Sequence, residues 1–597
     1  MRTACSIALC ALIAVCAGRA SAAASGIDKT LSCRVRVGLG ANVRFGNMLP
    51  VFFEFENAGE PRTIQVRTTG ASQISAVFSV PKGGGIRRCL YVPVHTDIRY
   101  YGPESVAFSD AGSGRVLRRM DISGQTRSIN VHGGSSGHTS TGPTLIGLSI
   151  ARSTALTINS DMLTPFAFDV SHVLAGAGLP DSWLGYSGID VVVVEHDAWA
   201  EPEFNKKPLI DWMAMGGICM MVDAPPDART DLAKQLAAEA AFLDAPGGPA
   251  DDKDSAAEKR QPKTYFVGMG GLTFVDTKFL STPHKNVLAG LGLRAAADSR
   301  LTEATRQAYP RVQGVDSPPF WSVLVALVVF AALVGPLGWW YLIKKKGRLL
   351  LYYAAAPAAS FCAIVLTITA AMFNEGFTPY VNCVAVRFID QRVKKRIDLS
   401  QFGVYVPFGF GTSLTGAATE LPHFLGAGED EDRDGPLTLV SRPSGRGREY
   451  EGVLPPRTQV WFGRELITLE RRRLVVWEDG GTLFAENHLG CSLKALVVSH
   501  KGKFAYFDRL SEGAKGSAPL VGETAIRTRR AANESAVDNV IRCLVPRKSR
   551  DLALDRWRRM FENGNAYAAQ AEGLTNEHVW LSSFKDQGTQ CAIFGVY

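Results

Sequence analysis

Two long uncharged apolar segments lie mid-chain, at residues 320–343 and 349–373, separated by Lys344-Lys345-Lys346-Gly347-Arg348. A membrane-crossing helix needs about 20 apolar residues. Both segments reach that length, so the sequence predicts two transmembrane helices joined by a short loop at 344–348. A short basic loop stays cytoplasmic. Residues 1–24 carry Arg2, an apolar run and then Ala20-Ser21-Ala22, the three parts of a secretory signal peptide. An exported N-terminus and a cytoplasmic loop demand the same orientation. The expected location is therefore the cell (inner) membrane, crossed twice after signal cleavage. The soluble domains on both sides of the hairpin are expected to be extracytoplasmic or periplasmic. Neither apolar segment contains a charged residue, which argues against a proton or ion relay.

The chain has 597 residues, too many for one hydrophobic core. Its net charge is +8, and most of the excess falls between Lys344 and Arg396. Beside apolar segments, such a balance points to cytoplasmic membrane lipids with anionic headgroups. No nucleic-acid motif accompanies it, and a nucleic-acid partner is not expected. Of the 11 cysteines, Cys5, Cys10 and Cys16 lie in the leader, and the others show no CxxC pair or zinc spacing. Cys33 and Cys89 fall in one predicted β domain, where a disulfide and two buried thiols fit equally well.

The pattern divides the remainder. Residues 25–131 alternate in short runs such as Cys33-Arg34-Val35-Arg36-Val37, the signature of a β-sandwich. Residues 132–143 are rich in Gly, Ser and Thr and read as a linker. His138 stands where a phosphate loop needs Lys, and His132 with His138 do not make a metal site. From 144 to 305, buried-type strands such as Val191-Val192-Val193-Val194 alternate with helical stretches near 209–215 and 231–243, which implies a mostly parallel α/β sheet. Gly268-Met269-Gly270-Gly271 lacks the dinucleotide spacing and reads as a tight turn. Residues 380–597 are strand-rich, with helical pattern near 536–543 and 552–561. They read as a second β-sandwich with a helical insertion.

One set of segments carries a family resemblance. It comprises Leu179-Pro180-Asp181-Ser182-Trp183-Leu184-Gly185-Tyr186, Gly188-Ile189-Asp190 with the valine run, Leu209-Ile210-Asp211-Trp212, and Gly216-Gly217-Ile218-Cys219-Met220-Met221-Val222. Gly335-Pro336-Leu337 and Phe45-Gly46-Asn47-Met48-Leu49-Pro50-Val51 belong to the same set. The order resembles bacterial membrane proteins of uncharacterised function that carry a class I glutamine-amidotransferase-like extracytoplasmic domain. The resemblance implies a flavodoxin-like α/β domain between a β-sandwich and membrane segments.

The chemistry of that family is harder to find. A glutaminase needs a nucleophilic Cys on a G-x-C-x-G elbow with a His and an acid nearby. Gly217-Ile218-Cys219 supplies half of the elbow, Met221 replaces the second Gly, and no H-x-E follows in the domain. His196 and Asp197 at a strand end are the remaining candidates. No catalytic residue is assigned, and Cys219 reads as a core side chain. Asp430, Asp432 and Asp434 precede Gly435 in a D-x-D-x-D-G run that suits Ca2+, although Ser441 occupies the place of the EF-hand's bidentate Glu. A solvated acidic turn is the other reading. Arg471-Arg472-Arg473, Arg527-Thr528-Arg529-Arg530 and Arg556-Trp557-Arg558-Arg559 are solvated basic faces, or contacts for anionic lipid or an acidic partner. Together these features predict a non-enzymatic membrane-anchored envelope protein that presents interaction domains to other envelope proteins. The alternatives are a ligand or calcium sensor using the α/β cleft or the Asp430 loop, and a hydrolase or amidotransferase.

Overall fold

A computed structural model of the chain describes residues 30–39, 48–69, 72–93, 105–122, 144–152, 167–175, 178–236, 264–281 except 269, 320–337, 378–407, 420–427, 459–521, 565–572 and 585–597, with shorter pieces between them. The leader at 1–24, the linker at 132–143 with its two histidines, the Asp430 loop and the helical pattern of 536–561 lie outside the described residues.

The N-terminal unit contains β1 (Leu31–Val37), β2 (Asn42–Val43), β3 (Met48–Asn57), β4 (Arg62–Thr69), β5 (Ser72–Val80), β6 (Gly84–Pro93), β7 (Ser105–Asp110), β8 (Val116–Asp121) and β9 (Arg127–Ser128). Strands β1, β3 and β6 form one sheet, and β5, β4, β7 and β8 lie in another. Along β3 the pleat sends Val51, Phe53 and Phe55 between the sheets while Phe52 packs on the opposite face. Phe108 stands edge-on to Phe53 and Phe55, with ring centroids 5.9 and 5.7 Å apart. The same alternation decides the fate of the two cysteines. Cys33 lies opposite Phe55 and points into the sandwich, whereas Cys89 lies opposite Phe52 and points out of it. Neither is in a disulfide.

The central unit contains β10 (Thr144–Ala151), β11 (Ala167–Leu174), β12 (Val191–Glu195), α1 (His196–Ala200), α2 (Lys206–Ala214), β13 (Ile218–Val222), α3 (Pro226–Gln235), β14 (Glu239–Ala241), β15 (Thr264–Val267), β16 (Gly270–Val275) and α4 (Thr277–Ser281). The sheet order is β11-β10-β12-β13-β16-β15-β14. Neighbours from β11 to β16 run parallel, and β15 and β14 add antiparallel strands. Both faces of this sheet are covered. Val191 and Val193 enter one apolar cluster, and Val192 and Val194 enter another. Helix α3 begins earlier than the pattern near 231–243 implies, because Pro226 sits in its first turn with φ already set for helix.

Beyond it lies α5 (Phe320–Ala332), which passes into π-helix at Leu333–Leu337, with Pro336 inside. Here the structure corrects the sequence reading. Among the described residues no helix is long and apolar enough to cross a membrane. The 13 residues of α5, at about 1.5 Å each, span about 20 Å, short of a hydrocarbon layer of about 30 Å. The two-helix transmembrane hairpin at 320–343 and 349–373 is therefore not supported. The same holds for the two-pass inner-membrane location that rested on it. The described residues are mostly β-strand, which also corrects the fold class as read from the sequence.

The C-terminal unit contains β17 (Tyr380–Asp390), β18 (Lys395–Tyr405), β19 (Leu414–Ala417), β20 (Glu420–Ala427), β21 (Leu439–Ser444), β22 (Gly447–Glu451), β23 (Gln459–Leu469), β24 (Arg473–Asp479), β25 (Thr482–His488), β26 (Ser492–His500), β27 (Lys503–Leu510), β28 (Lys515–Pro519), β29 (Ala566–Glu572) and β30 (Lys585–Val596). An eight-stranded sheet has the order β20-β23-β18-β17-β30-β29-β26-β27. One of its faces packs on the small sheet β24-β25-β28 through Cys383, Ile389 and Phe402. Its other face presents Val384, Phe388 and Ile397 to the cluster that holds the central unit. Strands β19, β22 and β21 leave this unit altogether. They extend the N-terminal sheet to β19-β22-β21-β5-β4-β7-β8, with Val440 of β21 opposite Gln73 of β5.

Among the described glycines of the central unit Gly270 has the least room: a Cβ there would stand 1.9 Å from the Met213 carbonyl oxygen. Gly270→Ala is expected to destabilise the central sheet by about 1–3 kcal/mol through backbone displacement. Denaturant-dependent hydrogen exchange in β13 and β16 measures the loss.

Candidate functional site

In open α/β sheets ligands sit beyond the carboxyl ends of the strands, where the strand order reverses. Here that edge carries Arg152 after β10, Glu195 and His196 at the end of β12, Asp223 after β13, and Asp276 and Thr277 after β16. These groups are largely engaged with one another. Glu195 Oε2 accepts from the Arg152 backbone N–H at 2.8 Å, and Arg152 Nε pairs with Glu201 at 2.6 Å. Asp223, held at φ +54°, accepts from the Thr277 N–H at 3.0 Å and from its hydroxyl. Asp276 accepts from the Phe279 N–H at 2.9 Å, capping α4. The carboxylates thus fix loop and helix ends. His196 differs, because its Nδ1 is buried with no hydrogen-bond partner among the described residues.

Cys219 is second in β13, between Val192 and Leu272, and has no exposed surface. Burial pushes its thiol up to about 12. A nucleophile must be an accessible thiolate, and this sulfur is neither. Among the described residues, no three His, Cys, Asp or Glu side chains are grouped so as to hold a metal. Asp430, Asp432 and Asp434 fall between β20 and β21, outside the described residues.

The segment 178–187 carries the resemblance, which assigns it no chemical role. It is the seat of the N-terminal sandwich. The Tyr91 hydroxyl donates to Asp181 and accepts from the Ser182 N–H at 3.0 Å. Ser187 Oγ accepts from the Met48 N–H at 3.0 Å and donates to the Leu184 carbonyl at 2.8 Å. Arg36 Nη2 donates to the Gly178 carbonyl at 2.6 Å while its guanidinium lies 4.3 Å over the Phe52 ring. Gly185 makes the approach achievable, since a Cβ there would meet Pro180 at 2.4 Å and the Tyr91 ring at 3.0 Å. Burial, with the neighbouring Cys89 and Asp181, pushes the Tyr91 hydroxyl far above its ordinary range, so it remains a donor.

A second seam joins the central and C-terminal units. Asp211 of α2 receives Lys395 from β18 at 2.7 Å and Lys207 at 2.9 Å. Arg392 and Arg396 of the basic run 392–396 also pair inside the chain, Arg392 with Asp390 at 2.7 Å and Arg396 with Asp398 at 2.9 Å and Glu470 at 2.8 Å. Sequence reasoning missed Arg36, Tyr91 and Lys395 as seam residues. An aromatic with a polar tip on the outward face of β6 was the available signal for Tyr91. Nothing in the sequence paired Lys395 with Asp211.

No protein-family model matches the chain, and no curated protein matches it. Among solved structures, the yeast delta-COP-I mu-homology domain complexed with a Dsl1 WxWxV peptide aligns with 36% of this chain and 96% of its own. It does so at 5% identity and a TM-score of 0.16. A likeness at that score carries no argument about this molecule.

Tyr91→Phe leaves Asp181 and the Ser182 N–H without their partner. The expected cost is about 1–3 kcal/mol, seen as faster hydrogen exchange across residues 178–187. Unchanged protection there would remove Tyr91 from the docking role.

Proposed function

We propose that this chain is a non-enzymatic interaction protein, a preassembled scaffold that presents β domains to protein partners. The observation that carries the reading is the use made of the central unit. Its segment 178–187 seats the N-terminal sandwich, and its helix α2 meets the C-terminal unit through Asp211 and Lys395. The surfaces most distinctive in sequence thereby serve internal assembly. The buried Cys219 and the capping carboxylates at the strand ends support the same reading over hydrolysis or amide transfer. The resemblance to bacterial membrane proteins makes other envelope proteins the partner class to seek.

Mild in-cell crosslinking, purification and mass spectrometry provide the test. A protein partner recovered in near-equal amount, and recovered equally with Cys219→Ala, is the expected result. Recovery of no partner, together with glutaminase or esterase activity that Cys219→Ala abolishes, would replace the scaffold with an enzyme.

A further inference from the structure

His500 closes β26 and stands between the two sheets of the C-terminal unit. Its ring lies parallel to that of Tyr597, which follows β30, with centroids 6.2 Å apart and planes 5° from each other. His500 Nδ1 is 3.1 Å from the Tyr597 hydroxyl, and that hydroxyl donates to the Ser499 carbonyl at 2.9 Å. On its other side, Nε2 is 3.6 Å from Oε2 of Glu478, which belongs to β24 of the small sheet. Lys501 Nζ holds the same carboxylate oxygen at 3.2 Å. Asn565 fixes the frame: its side-chain oxygen accepts from the Lys501 N–H at 3.4 Å, and its carbonyl accepts from the Tyr597 N–H at 3.1 Å. A proton count then assigns the tautomer. A carbonyl oxygen only accepts, so the single phenolic proton of Tyr597 is committed to Ser499. Nδ1 can bond the hydroxyl only by carrying a proton itself. In the neutral ring Nε2 is therefore left bare, facing a carboxylate. A proton added there turns two opposed lone pairs into an ion pair.

We infer that His500 is a pH-sensitive latch across the C-terminal sandwich: on acidification its Nε2 takes a proton from solvent and draws Glu478 from Lys501, so that the tie between β24 and the end of β26 passes from the lysine to the imidazole. The groups that face the ring set where this happens. Burial, with Lys501 beside it, holds the imidazole below the ordinary histidine range, while Glu478 pulls the other way. Lys503, opposite His500 in the β26–β27 hairpin, adds a further positive charge on the paired strand. Burial pushes the Tyr597 hydroxyl well above its ordinary range, so it keeps its proton throughout. The Ser499 carbonyl and the Asn565 side chain are neutral. The folded chain thus binds this proton less readily than the unfolded one. Neutral His500 contributes its stability above the unfolded value of about 6.5, and that contribution is lost as pH falls through the folded value. The latch engages in that mildly acid window, where Glu478 receives the new charge and limits its cost.

The experiment isotope-labels the imidazole nitrogens of the full-length chain, assigns His500 by its loss in His500→Gln, and follows the ring by NMR from about pH 8 to about pH 4. The neutral ring is expected to carry its proton on Nδ1, the less common tautomer in water, and to gain the second proton on Nε2. Glu478→Gln keeps the side chain's shape without its charge and is expected to weaken proton binding at His500 about tenfold. Lys501→Met is expected to strengthen it. A neutral ring with its proton on Nε2 in the unmodified sequence would overturn the inference, whatever the variants do. So would a His500 titration indifferent to Glu478→Gln or to Lys501→Met.

Discussion

One apolar cluster crosses all three units, and the arrangement of the chain depends on it. Leu39, Met48 and Tyr91 enter it from the N-terminal sandwich, Trp183, Tyr186 and Trp212 from the central unit, and Val384, Phe388 and Phe594 from the C-terminal sheet. Aromatic side chains of this size bury about 150–250 Å² each, at roughly 25 cal/mol per Å². The polar contacts at the two seams are few by comparison. They set direction and register, while the shared core holds the units together. A unit taken alone would expose one face of this cluster to water.

The central sheet was the most legible part of the sequence. A four-valine run and Ile218–Val222 are both buried on two faces, and each divides its side chains between two clusters in strict alternation. Cys219 could be placed in that core from its apolar neighbours alone. The apolar segments near 320–373 were misleading, because hydropathy measures a residue's preference for oil and not the length over which a helix persists. The described α-helix gives way to π-helix after Ala332, with a proline inside Leu333–Leu337. Segment 178–187 was noticed for its pattern, and its purpose was not legible. Its Asp181, Ser182, Gly185 and Ser187 meet the partners that docking requires.

Non-local pairing was illegible. Nothing near Leu439–Ser444 marks it as a partner for β5, since strand pairing is written in backbone groups that every residue shares. The charges buried in the C-terminal sheet were equally hidden. Arg387 and Asp398 stand directly opposite each other across β17 and β18 and pair at 2.8 Å inside the sheet. Opposed across two strands, they satisfy one another where water is excluded.

The pairing of β21 with β5 also orders events in time. The N-terminal strands leave the ribosome several hundred residues before Val440 exists to meet Gln73. At about 5–20 residues per second, that interval is on the order of tens of seconds. Throughout it β5 is a sheet edge with open donors and acceptors, the kind of template that recruits a neighbouring chain. The sandwich is thus born incomplete, and during synthesis its last strands have to reach β5 before the same edge on another nascent molecule does.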